Sequence, residues 1–384
     1  MCRRLIVTFL CLLFTAFSAN FAGAAEPLKI GISLGLTGKY AQMSDMSLKA
    51  YKLWEQNINA RGGLLGRTVQ LNIQDDKSDA ATAREIYRHW IEDEKIDLVI
   101  GPYSSEITAA VLPVTEEHRY PLLAAGAAAD VLWQRGYKYV FGIYVPTSKY
   151  MVSFLELLAT EGLNKIAMVG ADDLFSKEIA LGAKEWVKRF GLTIVFSEEF
   201  KNGTKPLTTV IQRAQGSGAD VLVVFGYLDE SVNARLALKE IGWSPRAYYA
   251  TVGPAVQRYH DILKDDAENA FSSSQWEPTS SFPGAKEFTE QFFNAYHMLP
   301  SYHAGSAYAA GQVMETAIRK SRSIDREKIR SALSSLDTMT IMGRYGVDRT
   351  GRQVRHFGST VQWQKGRKEI VSPKELMTAK PVWK

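Results

Sequence analysis

From residue 28 to residue 251, short apolar runs alternate with stretches of helical period, and the alternation runs through twice. In the first pass, residues 28–35 (LKIGISLG), 96–101 (IDLVIG) and 121–125 (PLLAA) read as buried strands, and 67–74 (RTVQLNIQ) as a strand of alternating pattern. Met43, Met46, Ala50, Trp54 and Ile58 recur every three or four residues, which is one face of a helix, and Gly62 and Gly63 end it. Residues 79–94 and 105–119 are two more helices. The second pass sets strands 165–170, 192–197, 219–225 and 247–251 against helices 176–190, 206–216 and 229–241. Buried strands joined by helices close as right-handed βαβ units on parallel sheets. The predicted fold is therefore α/β, with two doubly wound lobes over about 28–130 and 164–252 and a crossover at 142–149. After residue 283 the pattern turns helical (283–297, 303–320, 325–337), and a strand-rich tail follows.

The start of the chain is of another kind. Arg3 and Arg4 precede a largely apolar run of thirteen residues, 5–17, and small residues then lead to Ala22-Gly23-Ala24-Ala25. That layout predicts a signal peptide over 1–25, cleaved after Ala24 or Ala25, and a protein delivered to the periplasm. Cys2 and Cys11 are the only cysteines, so the mature chain has none to pair or to bind a metal. No later stretch reaches eighteen apolar residues. The formal charge is +5 over 384 residues with no dense basic block, which gives no sign of nucleic-acid binding.

Catalytic patterns fail where the sequence offers them. Residues 31–39 (GISLGLTGK) lack the glycine spacing of a phosphate-binding loop, with Ser33 and Tyr40 at two of its required places. No GxGxxG or GxSxG occurs, and the six histidines form no HExxH or ligand-spaced pair. Asp75-Asp76 ends a strand, where neighbouring side chains diverge, and a structural role near the cleft fits better than acid–base work. No metal, cofactor or enzymatic activity is expected.

Ligands of open parallel sheets bind beyond the C-terminal strand ends. Gly101-Pro102-Tyr103-Ser104-Ser105 sits at one such end, where a helix starts, and Gly126-Ala127-Ala128 at the next. Free N–H groups and the helix dipole there favour an anion, to which a serine hydroxyl could donate. The same serines could equally cap the helix.

These residues belong to a longer series: LKIGISLGLTGKYA (28–41), NARGGLLGRTVQL (59–71), DDKSDAATA (75–83), IGPYSSEITAAVLPV (100–114), QWEP (275–278), PSYHAGSAYAA (300–310) and VQWQKG (361–366). In this order, behind a leader, the chain resembles the type I periplasmic solute-binding proteins of ABC importers, in the branched-chain amino acid and amide branch. The resemblance implies a clamshell with three crossovers. One lobe combines 26–145 with 276–357, the other 146–275 with 358–384. A membrane permease reads the closed form, and a monomer is expected. The resemblance also nominates ligand-facing residues, Ser105, Gly126 and Ala128 for a carboxylate and Phe175 as an aromatic wall; Tyr103 and Tyr227 are candidate walls beside them, and Thr251 stands near the place of the family's acid. Trp133 and Tyr144 are further candidate walls. Amino-acid binders place an acid near 251–252 to pair with the ligand ammonium, but this chain reads Ala250-Thr251-Val252-Gly253. Asp229 and Glu230 are possible substitutes, and either could cap the next helix. Met43 stands where such binders can have an aromatic. An ammonium buried without a counter-charge is costly. A carboxylate or amide without an amino group is therefore the expected ligand, with a branched-chain amino acid, or a sensing role, as the alternative.

Overall fold

The computed structural model of the protein describes residues 25–384, and the expected leader lies outside them apart from Ala25. The first block runs β1 (Leu28–Leu34), α1 (Ala41–Ala60), β2 (Val69–Asp75), α2 (Ala80–Glu92), β3 (Leu98–Ile100), α3 (Ser105–Glu117), β4 (Leu122–Ala124), the short α4 (Val131–Gln134) and β5 (Val140–Gly142). Its strands form one sheet in the order β2-β1-β3-β4-β5, parallel throughout. Ile30 pairs in register with Leu71 on one side and Leu98 on the other. β1 is buried at every residue but Lys29, as a strand covered by helices on both faces must be. Trp90 of α2 lies so close over it that a Cβ on Gly31 would sit 2.7 Å from the indole.

The second block runs α5 (Val152–Glu161), β6 (Lys165–Ala171), α6 (Leu174–Arg189), β7 (Thr193–Phe200), α7 (Thr208–Gly216), β8 (Val221–Phe225), α8 (Leu228–Glu240), β9 (Ala247–Ala250), α9 (Gln257–Leu263) and β10 (Ala270–Ser274). The third runs α10 (Ala285–Tyr296), α11 (Tyr302–Ser321), α12 (Arg326–Ser335), the small hairpin β11 (Thr338–Thr340) and β12 (Gly343–Tyr345), then β13 (Ser359–Gln364) and β14 (Arg367–Ser372). The second sheet has the order β14-β13-β10-β9-β8-β6-β7. It is parallel from β10 to β7, as expected of its centre, and the strand-rich tail adds β13 and β14 to its edge antiparallel. Lys365 and Gly366, at φ 53° and 71°, make the two-residue turn of that hairpin.

Helices α10 and α11 pack on α1, and α12 on α11, which returns the third block to the first sheet. Gly311 permits the approach of α11, since a Cβ there would lie 2.5 Å from the buried Trp54 indole. The chain thus passes between the sheets after β5, after β10 and before β13. The three passages are tied together. Val145 N donates to Gln275 Oε1 at 2.9 Å, and a His356 ring nitrogen meets Gln275 O at 2.7 Å. Asp130 Oδ2 accepts from Thr147 Oγ1 (2.9 Å) and Ser148 N (2.7 Å), while Arg352 reaches Oδ1 at 3.1 Å.

Candidate functional site

Ser105 is the first residue of α3, and Ser104, in extended backbone, precedes the helix without a side-chain cap. The first intrahelical bond runs from Thr108 N to Ser104 O at 2.8 Å, so the N–H groups before it have no partner within the helix. Ser105 does not cap the helix either. Its Oγ accepts from Ala128 N (3.1 Å) and Ala129 N (3.2 Å), in the loop after β4. With its oxygen so engaged, the hydroxyl proton is left to donate. A bridge from Tyr103 to Gly126 lays the two loops side by side. Only glycine fits at 126, because a Cβ would lie 2.8 Å from the Tyr103 ring and 3.1 Å from its Cα.

Over these loops lies a small cavity between the two sheets. Tyr103, Ser105, Gly126 and Ala128 line it from the first sheet, and Phe175 and Tyr227 from the second. Tyr144 and Tyr150 of the first passage and Tyr302 at the start of α11 complete the wall. No charged side chain lines it. The aromatic rings touch one another: Phe175 and Tyr227 are 5.2 Å apart at 30°, Tyr150 and Phe175 5.6 Å apart at 81°, and Tyr103 and Tyr227 6.3 Å apart at 68°.

Other residues hold this wall in place. Asp75 accepts from Thr37 Oγ1 (2.7 Å) and Lys77 N (2.8 Å), and Asp76 from Ser33 Oγ (2.7 Å) and Ser78 N (3.0 Å). The paired acids thus fasten the loop after β1 to the end of β2, and burial pushes the Asp76 carboxyl up to about 6. The loop carries Tyr40, fully buried, whose ring meets Tyr103 at 5.3 Å and Tyr227, across the cleft, at 4.9 Å. The Tyr40 and Ser104 hydroxyls are buried without a hydrogen-bond partner of good geometry. His303 supports two wall residues at once. One ring nitrogen lies 3.1 Å from the Tyr103 hydroxyl, and the ring stacks on Tyr302 at 3.9 Å. Burial pushes that imidazole down to about 3, so it is neutral at ordinary pH.

The structure brings six of the nominated residues to one cavity: Tyr103, Ser105, Gly126, Ala128, Phe175 and Tyr227. Thr251 is not among them. Its Oγ1 donates to Gly226 O (2.6 Å) and accepts from Gly226 N (2.7 Å), bracing the loop that carries Tyr227. The next residues form a γ-turn, with Val252 at φ 59° and Gly253 N donating to Thr251 O at 2.6 Å. Of the other candidates Tyr144 lines the wall, while Trp133 packs under Gly142 and Met43 is buried in α1. Asp229 pairs outside with Lys205 at 3.0 Å, and Glu230 accepts from Tyr227 N at 2.9 Å. Sequence reasoning missed Tyr40, Tyr150, Tyr302 and His303. It also missed Asp173, whose carboxylate caps α6 through Ser176 N (3.1 Å) and Ser176 Oγ (2.7 Å) and is pushed up by burial.

Two parallel-sheet lobes facing each other across a cleft at their strand ends, joined by three passages, are the architecture of type I periplasmic binding proteins. The periplasmic binding protein family matches residues 27–368, and the chain belongs to it. It is 27% identical over 380 residues to a Leu/Ile/Val-binding protein homolog 7 of Brucella suis, covering 93% of this chain and 94% of that one. It superposes on the branched-chain amino acid transporter substrate binding protein LivJ of Streptococcus pneumoniae, in complex with isoleucine, with TM-score 0.82 and 22% identity, covering 90% of this chain and all (100%) of that one. A solute binding protein of R. palustris, in complex with benzoate, gives TM-score 0.80 and 17% identity, covering 92% and 99%.

Proposed function

We propose that this chain is the extracytoplasmic solute-binding subunit of an ABC importer, made with a cleaved leader over 1–25 and working in the periplasm without catalysis. It captures a small ligand between a lobe of 26–145 plus 276–357 and a lobe of 146–275 plus 358–384. Hinge closure about the three passages then presents the closed form to a membrane permease. The observation that carries this reading is the single cavity that gathers Ser105, Gly126 and Ala128 from one sheet with Phe175 and Tyr227 from the other. The ligand stabilises closure because only the closed form touches it from both sides.

The ligand is a small carboxylate or amide without a charged amino group. The Ser105 hydroxyl and the start of α3 receive its polar head, and no carboxylate lines the wall to pair with an ammonium. Asp173, close by, does not line the wall, and each of its oxygens accepts a bond from Ser176. The benzoate complex of the R. palustris neighbour is a precedent for such a ligand in this fold. The second reading, a branched-chain amino acid, is favoured by the names of the Brucella and Streptococcus relatives. A thermal-shift panel on protein stripped of ligand by unfolding and refolding separates them. A ligand at a hundred times its Kd adds about 2.7 kcal/mol to the folded state. Shifts with acids or amides and none with leucine, isoleucine or valine are expected; the reverse pattern overturns the ligand assignment.

A further inference from the structure

We infer that the body of the ligand is a flat aromatic ring, so that the site is built for a small aryl carboxylate; this rests on the carboxylate reading above. The walls meet from opposite sides. Tyr227 of the second lobe stands 4.9 Å from Tyr40 and 6.3 Å from Tyr103 of the first, ring to ring. Of these rings Tyr103 and Tyr227 line the cavity, and a ligand body one ring thick, about 3.5 Å, parts them least. It also becomes one more member of the edge-to-face set, whose preferred centroid spacing is about 4.5–7 Å. A branched aliphatic body is thicker and has no edge or face to offer.

Charge points the same way. With no charged side chain in the wall, the one charge the site accommodates is the head at Ser105 and the α3 start. Aromatic walls can also hold a quaternary ammonium, through ring faces turned to the cation. Here one face of Tyr302 is covered by the His303 ring at 3.9 Å and one face of Phe175 by Tyr227 at 5.2 Å, and glycine betaine is the competing occupant in the test.

The test is titration calorimetry on ligand-stripped protein with benzoate, cyclohexanecarboxylate, glycine betaine and leucine. Benzoate should bind at least about tenfold more tightly than the other three, and Phe175→Leu, which keeps the apolar volume and removes a ring, should narrow its lead over the saturated acid about three- to tenfold. Equal or tighter binding of cyclohexanecarboxylate overturns the ring inference and leaves the carboxylate reading standing. Tightest binding by betaine or leucine, or binding by none of the acids, overturns the carboxylate reading and this inference with it.

Discussion

Replacing Ser105 with alanine removes one oxygen with two jobs. In the protein alone, that oxygen accepts the Ala128 and Ala129 N–H groups at 3.1 and 3.2 Å. Both donors are buried, and leaving such groups unmet costs about 1–3 kcal/mol. With ligand bound, the hydroxyl donates to a carboxylate, and a hydrogen bond to a charged group contributes about 1.5–3 kcal/mol. Ser105→Ala should therefore lower affinity for an acid ligand about 10- to 150-fold. The loss for the matching neutral amide should be smaller, because a neutral hydrogen bond contributes only about 0.5–1.5 kcal/mol. Calorimetric titration of both ligands, with a melting curve of each protein, reads the two effects separately. A variant that melts lower but binds the acid as tightly as the parent would show that Ser105 only braces the loop after β4, and the head-group assignment would be wrong.

Three other outcomes are expected. Asp173→Asn keeps an oxygen for Ser176 N but removes the carboxylate charge beside the cavity. Affinity for an acid should hold or rise a few-fold, whereas about a hundredfold loss would mean that Asp173 pairs with a ligand ammonium. On acidification, His303 and His356, pushed down by burial to about 3 and about 4, exclude protons that the unfolded chain takes up below about 6.5. Stability is complete above that pH and falls as pH drops, by up to about 1.4 kcal/mol per unit for each histidine, while Asp76, pushed up to about 6, opposes the loss between about 6 and 4. Urea unfolding at pH 7 and pH 5 should show a net loss of about 2–3 kcal/mol, and His303→Gln should shrink it; no pH dependence would contradict the burial of these rings. Gly311→Ala drives a methyl to within 2.5 Å of Trp54 and should lower the melting temperature by several degrees through about 1–3 kcal/mol of overpacking. Ligand affinity should be unchanged, since neither residue lines the cavity.

Much of the fold could be read from the chain because its strands are buried on both faces and its helices on one. The apolar runs of β1, β6 and β8 and the striped helices α1 and α11 stand within a few residues of their expected places. What escaped lacks that contrast. β10 reads Ala-Phe-Ser-Ser-Ser, yet it is buried throughout between β9 and β13. Its serines are acceptable there because they are bonded: Ser273 to Tyr249 at 2.8 Å and Ser274 to Trp276 O at 2.9 Å. β5 is three residues of an aromatic run whose continuation is the crossover. At the site, Tyr103, Ser105 and Gly126 were legible because strand ends and helix starts are marked in sequence. Tyr150 and Tyr302 come from a passage and from a helix some 150 residues later, and nothing local joins them. Thr251 looked ligand-facing because the resemblance puts an ammonium-pairing acid near 251–252, but its hydroxyl is engaged by Gly226 N and O.

The central claim is that the cleft holds a small carboxylate through Ser105 and has no place for a charged amine. The most direct measurement is mass spectrometry of the small molecule released on denaturing protein purified from its own periplasm. An acid or amide without a primary amine, recovered at near one per chain and lost from Ser105→Ala, is the result this account predicts. Leucine, isoleucine or valine in that fraction would contradict it.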